Sequence, residues 1–518
     1  MTSKFESCDK TTKDPFEKIL KNYNRMIFSN CMLSKYNLDI FNKFYRNIPR
    51  NRMKYYKNYS RELKKTTYTN KSYSEDKQSS MDIIPAGERD IHNYLTRYRM
   101  ATSQIQVIMK LDGRLDFDRL TQAVKLSVDA EPILASRFVE DKKYYWKRME
   151  NIDGTAICSL EETDNADETV MQFLQSPLDM DNDPQVKVKI IRSEQYDILG
   201  VKLNYVCCDG TAAKEYIKLL SQIYSCIDQG EGTFITESQI GSREDQDGLF
   251  KELGIKYPEL RWNPLSEPPK TKWGFPWAQG REDSVRFEVC RIPKSDFEKI
   301  CQYGKSREAT INDLILTAFY RTMFKISKPK QGVPMDITST MDLRRYLPGH
   351  KSQTIKNLSA GLITRIARIM NEPFDGTLSR VMSATTKFKE SNSDVNNNMG
   401  EENNEKISSA YFQDYFDHMS QTLETSTKST SYIGNECFPG LCDLESISES
   451  LLGFGQNVIT DAYIIPPAIR APGLLMLVSS YNDILTMSLG YCKASISHRD
   501  MKALLNSIKD ELIKGCKF

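Results

Sequence analysis

The segment Leu203–Gly210 constrains the fold of this chain more than any other stretch, because an apolar run there ends in an Asp-Gly pair. The apolar content of Tyr196–Val206 predicts a buried β-strand. Residues 211–217 (TAAKEYI) open a helix that Glu215–Tyr224 continue. A strand that passes through a tight polar turn directly into a helix is typical of α/β proteins.

Further strand and helix patterns alternate on both sides of this segment. In the first half, Asp116 is predicted as the N-cap of a helix whose apolar stripe includes Leu120, Val124 and Val128. In the second half, Thr310 is predicted to cap a long apolar helix. The other main predicted elements are strands at Ile105–Leu111, Val186–Ile191, Ser284–Cys290 and Met335–Met341, a hairpin of Leu474–Ser480 and Ile484–Tyr491, and helices at Lys294–Tyr303 and Arg499–Lys514. The sequence therefore predicts two similar α/β lobes.

Composition divides the chain into three parts. Residues 1–80 carry 18 Lys/Arg and 8 Asp/Glu, a net charge of +10, whereas the whole chain carries +2, so the remaining 438 residues carry −8. We predict a basic N-terminal extension at residues 1–80, partly helical (Asp14–Phe44) or disordered, a first lobe at 81–270 and a second lobe at 271–518. Residues 389–407 are predicted to form a surface insertion without fixed structure.

The cations of the N-terminal extension are interleaved with tyrosines, a pattern that suits stacking on single-stranded RNA or contact with anionic lipid. Such a run is more often a solvated arm, and the rest of the chain has a net negative charge. We therefore expect neither nucleic-acid nor membrane contact from residues 1–80. The hypothesis that this extension is the functional part and the lobes are a scaffold stays open.

Cysteine usage and the absence of long apolar runs indicate the cellular compartment, which we expect to be the cytoplasm. No run of about 18 apolar residues predicts a membrane span, and the N-terminal residues lack the apolar core of a secretory signal. The 12 cysteines are scattered; Cys437 and Cys442 are predicted to flank a Phe-Pro-Gly-Leu turn, a spacing that does not match a zinc site. These features predict a cytoplasmic protein with reduced thiols and no metal site.

Leu203–Gly210 resembles the His-x-x-x-Asp-Gly motif of the thioester-dependent acyltransferases. That superfamily includes chloramphenicol acetyltransferase, alcohol acetyltransferases and the condensation domains of peptide synthetases. Other blocks resemble it in the same order: Pro85–Asp90, Leu111–Phe138, Thr310–Asp313, Met341–Pro348 followed by Asn357-Leu358, and Ser431–Gly434. The resemblance covers residues 81–518 and implies two chloramphenicol-acetyltransferase-like α/β sandwich lobes with a tunnel between them.

The resemblance also implies roles for the residues of the motif. Tyr205 stands where the superfamily has its histidine general base, and Asn204 stands at the preceding position, which is often a second histidine. Asp209 is implied to be structural, pointing away from the substrate and tying its loop to an arginine. Gly210 is implied to permit a tight turn beside the channel. The candidate arginines are Arg89, Arg137 and Arg344.

Tyr205 is a weak replacement for that histidine. A phenol with a pKa of about 10 is ionised in roughly one molecule in a thousand at pH 7, a deficit of about 4 kcal/mol against an available base. Tyr205 can donate a hydrogen bond to an oxyanion, or it can simply pack in the former tunnel. His92, which follows the Pro85–Asp90 block, is the best alternative base. A thiol nucleophile at Cys207 or Cys208 has no histidine nearby in sequence to activate it.

We therefore expect an acyltransferase-like protein that moves an acyl group from a coenzyme A or carrier-protein thioester to an alcohol or amine. The alternative is an inactive member of the superfamily that binds an acyl thioester or a carrier protein. No resident cofactor is expected, and acyl-CoA or a pantetheine thioester is expected as co-substrate. The expected partners are a small-molecule alcohol or amine acceptor and an acyl carrier protein.

Overall fold

The computed structural model describes residues 83–517 apart from 88–89, 92, 95–96, 98–99, 142–143, 181, 229–272, 279–283, 353, 395–435 and 448–452. The predicted N-terminal extension lies outside these residues, as do Arg89, His92 and the Ser431–Gly434 block. Within the described ranges, no helix is both long and apolar enough to cross a membrane.

Strands and helices alternate along the described residues. The strands are β1 (Ile83–Pro85), β2 (Gln104–Leu111), β3 (Ser136–Glu140), β4 (Tyr144–Arg148), β5 (Cys158–Glu162), β6 (Val186–Arg192), β7 (Asp197–Asn204), β8 (Trp273–Gly274), β9 (Val285–Ile292), β10 (Pro334–Asp342), β11 (Ser359–Ala367), β12 (Glu436–Ser446), β13 (Ile459–Ile465), β14 (Gly473–Tyr481) and β15 (Ile484–Cys492). The helices are α1 (Phe117–Ala130), α2 (Ala166–Gln175), α3 (Gly210–Asp228), α4 (Lys294–Ser306), α5 (Ile311–Ser327), α6 (Phe374–Asp394) and α7 (His498–Gly515). Each strand and helix predicted above between Ile105 and Lys514 is confirmed, with bounds that differ by a few residues.

A five-stranded sheet organises the first half, in the order β13-β2-β7-β6-β5. All of its neighbouring strands are antiparallel except the β5–β6 pair. The edge strand β13 comes from the second half of the chain and pairs with β2 from Ile459 to Ile465. A single boundary at residue 270 therefore does not separate the two sheets.

Helices α1 and α3 cover one face of this sheet, and α2 lies on the other face. As predicted, Asp116 caps α1: its carboxylate accepts a hydrogen bond from the Arg119 N–H (2.9 Å). The apolar stripe of Leu120, Val124 and Val128 is buried in the same core cluster as the inner side chains of β2 and β7. Strands β1, β4 and β3 form a separate small sheet against this core.

The second half has its own sheet, in the order β11-β10-β12-β14-β15-β9, with β8 paired to β12. Helices α4 to α7 pack on one face of it. As predicted, Thr310 caps α5, and the cap is reciprocal: the Asp313 N–H donates to Thr310 Oγ1 (3.1 Å), while the Thr310 N–H donates to Asp313 Oδ2 (3.0 Å). The predicted hairpin is confirmed as β14–β15, and Asn482 and Asp483 at its turn both have positive φ (47° and 62°).

Two local predictions were wrong. The insertion at residues 389–407 was expected to lack fixed structure, but α6 continues through its first six residues to Asp394; the remainder lies outside the described residues. Cys437 and Cys442 do not flank a turn, because both lie within the continuous strand β12. The Pro439-Gly440 pair has turn chemistry, but parallel pairing of β12 with β10 and β14 holds it extended.

The two halves share one hydrophobic core where they meet. Leu444 of β12 and Leu477 of β14 belong to the core cluster of the first half. The connection between β10 and β11 also enters that cluster through Ile355, whose N–H donates to the Glu131 carboxylate at the end of α1 (3.1 Å). This β10–β11 connection, residues 343–358, therefore lies against the first half.

Candidate functional site

The motif turn lies between the end of β7 at Asn204 and the start of α3 at Gly210. Asp209 organises the helix start, because its Oδ1 accepts a hydrogen bond from the Ala212 N–H (2.8 Å) and its carbonyl oxygen accepts one from the Ala213 N–H (2.9 Å). The sequence therefore dictates this local geometry: an Asp immediately before a helix binds the unpaired N–H groups of the first turn.

The second carboxylate oxygen of Asp209 joins the two halves of the protein. Asp209 Oδ2 accepts hydrogen bonds from Arg344 Nη1 (3.0 Å) and from the Leu358 N–H (2.6 Å), both in the second half. Of the three candidate arginines that the sequence left open, Arg344 therefore pairs with Asp209. Arg137 lies instead at an exposed position of β3, in the small sheet of β1, β4 and β3, so this candidate was wrong, and Arg89 lies outside the described residues.

Arg344 is buried, with 2% of its side chain exposed, and it is surrounded by acceptors. Its Nη1 also contacts Asp342 Oδ1 (3.1 Å), and its Nη2 donates to the Lys356 carbonyl (3.0 Å). Its Nε lies 3.4 Å from Glu215 Oε1, without the geometry of a hydrogen bond. Burial opposes the positive charge, but attraction to the three carboxylates outweighs burial and raises the pKa of Arg344.

Tyr205 is fixed through its backbone and is half-buried. Its N–H donates to the Ser103 carbonyl (2.8 Å), and its own carbonyl accepts a hydrogen bond from Asn357 Nδ2 (2.9 Å). Because Asn357 comes from the β10–β11 connection, both halves position Tyr205. The residue at the expected base position therefore lies at the junction of the halves.

Asn204 is a structural part of the turn. It is 2% exposed, its Nδ2 donates to Gln185 Oε1 (2.6 Å), and its Oδ1 accepts from the Val206 N–H (3.0 Å). Both the Nδ2 and the Oδ1 of Asn204 therefore form hydrogen bonds with residues of the first half.

Gly210 permits a close approach between the halves. A Cβ at this position would lie 2.5 Å from Cδ1 and Cδ2 of Leu444 on β12. Gly210 has no positive φ, so what this glycine provides is close packing against Leu444 and not a turn conformation.

The two cysteines of the turn are fully buried. Burial raises the pKa of Cys208 well above its usual value, and the nearby Cys207 and Asp209 add to the effect. The Cys208 thiol therefore stays protonated at neutral pH, which favours the packing interpretation over nucleophilic catalysis.

Asn93 lies beside the motif turn. Asn93 Nδ2 donates to the Val206 carbonyl (3.4 Å), and Asp90 accepts a hydrogen bond from the Trp146 indole N–H (3.0 Å). Asn93, which follows the Pro85–Asp90 block in the sequence, therefore contacts the turn. His92 itself is outside the described residues.

Sequence reasoning missed Glu215, which lies on α3 beside Arg344. Burial raises its pKa to about 7, because attraction to Arg344 does not compensate for burial and for repulsion by Asp209 and Asp342. No local pattern signals this shift, since two of the three charges that act on Glu215 come from the second half of the chain.

No group of three or more His, Cys, Asp or Glu side chains in the described ranges is arranged to hold a metal ion. An open cleft of about 660 Å³ lies in the second half, lined by Arg307 and one face of α6, and none of its lining residues belongs to the motif turn.

Comparison with known proteins agrees with this architecture. A family model described as the condensation domain matches residues 98–239, which include the motif turn. No curated protein sequence matches the chain.

Solved structures match most of the chain. The first condensation domain of the calcium-dependent antibiotic synthetase, in complex with a substrate analogue, superposes with a TM-score of 0.61 at 14% identity, over 84% of this chain and 96% of that one. TRI3 trichothecene 15-O-acetyltransferase from Fusarium sporotrichioides has a TM-score of 0.63 at 12% identity, over 84% and 96%. Polyketide synthase associated protein 5 from Mycobacterium tuberculosis has a TM-score of 0.58 at 15% identity, over 84% and 98%.

The chain therefore has the two-lobed α/β fold of condensation domains and of this acetyltransferase. The resemblance to the chloramphenicol-acetyltransferase-like superfamily, predicted from the sequence, is confirmed by the family model and by these structures.

Proposed function

We propose that the protein transfers an acyl group from a coenzyme A or carrier-protein thioester to an alcohol or amine. One observation carries the proposal. The Asp209 carboxylate is held by donors from both halves, Arg344 Nη1 and the Leu358 N–H, and it also caps α3. The part of the motif that positions the base residue is therefore intact. The proposal includes a tunnel between the two halves, through which the substrates reach Tyr205.

In the proposed reaction, the acceptor oxygen or nitrogen attacks the thioester carbonyl carbon. The new C–O or C–N bond forms, the C–S bond breaks, and the proton lost by the acceptor ends on the departing thiol. Tyr205 is assigned as a hydrogen-bond donor to the developing oxyanion, since an ordinary phenol is a poor base at neutral pH. His92 is the candidate base, because it adjoins Asn93, whose amide contacts the motif turn.

A second function is favoured by the replacement of histidine by Tyr205. A member without a base would bind an acyl thioester or a carrier protein and would not turn it over. Asn204, Asp209 and Gly210 serve that function equally well, because their contacts are structural.

Free-thiol release distinguishes the two functions. The protein is incubated with short- and long-chain acyl-CoA, or with an acylated phosphopantetheinyl carrier protein, together with panels of alcohols and amines. Acceptor-dependent thiol release supports the enzyme. A rise in Tm with acyl thioester and no release supports the binding protein. Neither effect, with any donor, would overturn both.

Tyr205 is tested by Tyr205→Phe, with Tyr145→Phe on β4 as the matched control. Loss of an oxyanion donor lowers kcat roughly 10²-fold, whereas the control leaves it unchanged. Unchanged turnover in Tyr205→Phe would remove the phenol from the mechanism. If the wild-type protein is inactive, a gain of thiol release in Tyr205→His would show that only the base is lacking.

The nature of the donor and the compartment belong to the same proposal. Acyl-CoA or a pantetheine thioester acts as co-substrate and not as a resident cofactor, and the protein acts in the cytoplasm. Comparing acyl-CoA with the acylated carrier protein at equal concentration identifies the preferred donor.

A further inference from the structure

Three carboxylates surround one buried cation where the halves meet. Arg344 lies within 3.4 Å of Asp209, Asp342 and Glu215, so the cluster has a net charge of −2 if every acid is ionised. A buried cluster lowers such an excess of negative charge most simply by taking up a proton on its least stabilised acid.

Hydrogen bonding identifies which acid takes the proton. Asp209 accepts from Arg344 Nη1 and from the N–H groups of Ala212 and Leu358. Asp342 accepts from both the N–H and Nη1 of Arg344, and 39% of its side chain is exposed to solvent.

Glu215 has much weaker support. Among the described residues, its one ion-pair contact is with Arg344 Nε at 3.4 Å, where the geometry of a hydrogen bond is not met. Only 28% of its side chain is exposed. Glu215 is therefore the acid that is both desolvated and poorly hydrogen-bonded.

The remaining ionisable groups around Glu215 do not compensate its charge. On its own helix, neither Lys214 nor Lys218 forms an ion pair with it among the described residues, and Lys214 directs its Nζ to the Leu444 carbonyl (2.9 Å). In the motif turn, the Cys208 thiol is neutral, because burial raises its pKa. The acids Asp209 and Asp342 repel the ionised form of Glu215.

We propose that Glu215 is a positioning residue that enters the closed junction as the neutral acid, so that closure of the two halves around Arg344 is coupled to binding of one proton. Ionisation of Glu215 then destabilises the junction. The pKa of Glu215, raised by burial to about 7, places this change at neutral pH. This inference goes beyond acyl transfer and does not depend on it.

The sign of the effect follows from linkage. Between the ordinary pKa of glutamate and the raised value, the folded protein holds a proton that the unfolded chain has lost, so stability falls as pH rises through this range. Glu215→Gln removes the titration and keeps the neutral shape. We therefore expect the variant to exceed the wild type in Tm by less than about 1 °C at pH 5, and by about 2–4 °C at pH 8.5.

Glu298→Gln is the matched control, since Glu298 is an exposed glutamate on α4 with only a 3.9 Å contact to Lys294. It should show no pH-dependent difference from the wild type. Asp342→Asn provides a second and independent variant: removing this negative charge lowers the pKa of Glu215, so the Glu215→Gln advantage should develop at lower pH in that background. A merely structural role for Glu215 would not move this midpoint.

The results that overturn the proposal are specific. A Glu215→Gln variant that is less stable than the wild type at pH 8.5 would show that ionised Glu215 is a stabilising partner of Arg344. A constant difference from pH 5 to 8.5 would show that Glu215 does not titrate there. If Glu215→Gln does not fold, the Asp342→Asn variant provides the test. A pH dependence of Tm identical to that of the wild type would then overturn the proposal. Thiol release is not part of this test, so absence of acyl transfer leaves it standing.

Discussion

Lys202 on β7 is a lysine whose side chain is buried in the interior of the first half. It is 2% exposed, and its Nζ donates to the carbonyl and to Oγ (2.7 Å) of Ser176, above the ring of Phe173 (4.2 Å). No carboxylate of the described residues lies within ion-pair distance of it. Burial lowers the pKa of Lys202 to about 7, and repulsion by Lys187 and Lys189 contributes.

The magnitude follows from this pKa. A decrease from 10.5 to about 7 corresponds to roughly 5 kcal/mol of unfavourable free energy for holding the charged form in the fold. Lys202→Met removes that cost, but it also removes two hydrogen bonds to Ser176, worth about 1 kcal/mol each. At pH 6, where Lys202 is charged in both states, we expect the variant to be more stable by about 2–3 kcal/mol.

The pH dependence is the sharper part of this prediction. Above pH 7 the folded protein loses the proton of Lys202 while the unfolded chain keeps it, so wild-type stability rises with pH by about 1.4 kcal/mol per unit up to the ordinary pKa of lysine. At pH 9 the wild type should have regained about 2.7 kcal/mol, and the advantage of Lys202→Met should have disappeared. Urea unfolding at pH 6, 7.5 and 9 measures the difference.

Lys110→Met on the adjacent strand β2 is the matched control. Lys110 is half-buried, its Nζ lies over the ring of Tyr196 (3.7 Å), and it is not one of the lysines whose repulsion lowers the pKa of Lys202. This variant should not be stabilised at pH 6. A Lys202→Met advantage of equal size at pH 6 and pH 9, or a destabilised variant at pH 6, would refute the reasoning.

The remaining predictions concern the junction of the halves. Arg344→Met leaves Asp209 and its neighbouring acids without their buried cation, so the free energy of unfolding should fall by about 3–5 kcal/mol in urea unfolding; a loss below about 1 kcal/mol would contradict a structural role for the pair. Gly210→Ala places a Cβ 2.5 Å from the terminal carbons of Leu444, a side chain that can rotate away, so we expect the free energy of unfolding to fall by at most about 1 kcal/mol. In the Gly210→Ala background, Leu444→Ala should lower the free energy of unfolding by less than it does in the wild type. If the losses of the two single variants add up to that of the double variant, the contact between Gly210 and Leu444 is refuted.

Much of the secondary structure was predictable because its signals are local. The Asp116 and Thr310 side chains cap the helices that immediately follow them, and the Asn482-Asp483 turn joins two strands with the expected pattern. The turn predicted at Pro439-Gly440 was wrong, because pairing with two parallel strands outweighed the preference of these two residues for a turn. Local signals thus succeed where the deciding contacts are a few residues apart.

The site was only partly predictable. The motif showed that Asp209 needs a cationic partner but left three arginines open, because the choice depends on which chain segment folds back against the turn. The β10–β11 connection makes that choice by bringing Arg344 and Leu358 to the same carboxylate oxygen. Glu215 had no sequence signal at all.

The sequence by itself determined the α/β elements, their caps and the superfamily motif with Tyr205 at the base position, since each depends on neighbouring residues. Only the tertiary structure decided that β13 enters the first sheet, that Arg344 is the partner of Asp209, and that Glu215 and Lys202 both titrate near neutral pH. The physical reason is the same in each case. Strand pairing, burial and the field of nearby charges are set by segments that are distant in the chain and adjacent only after folding.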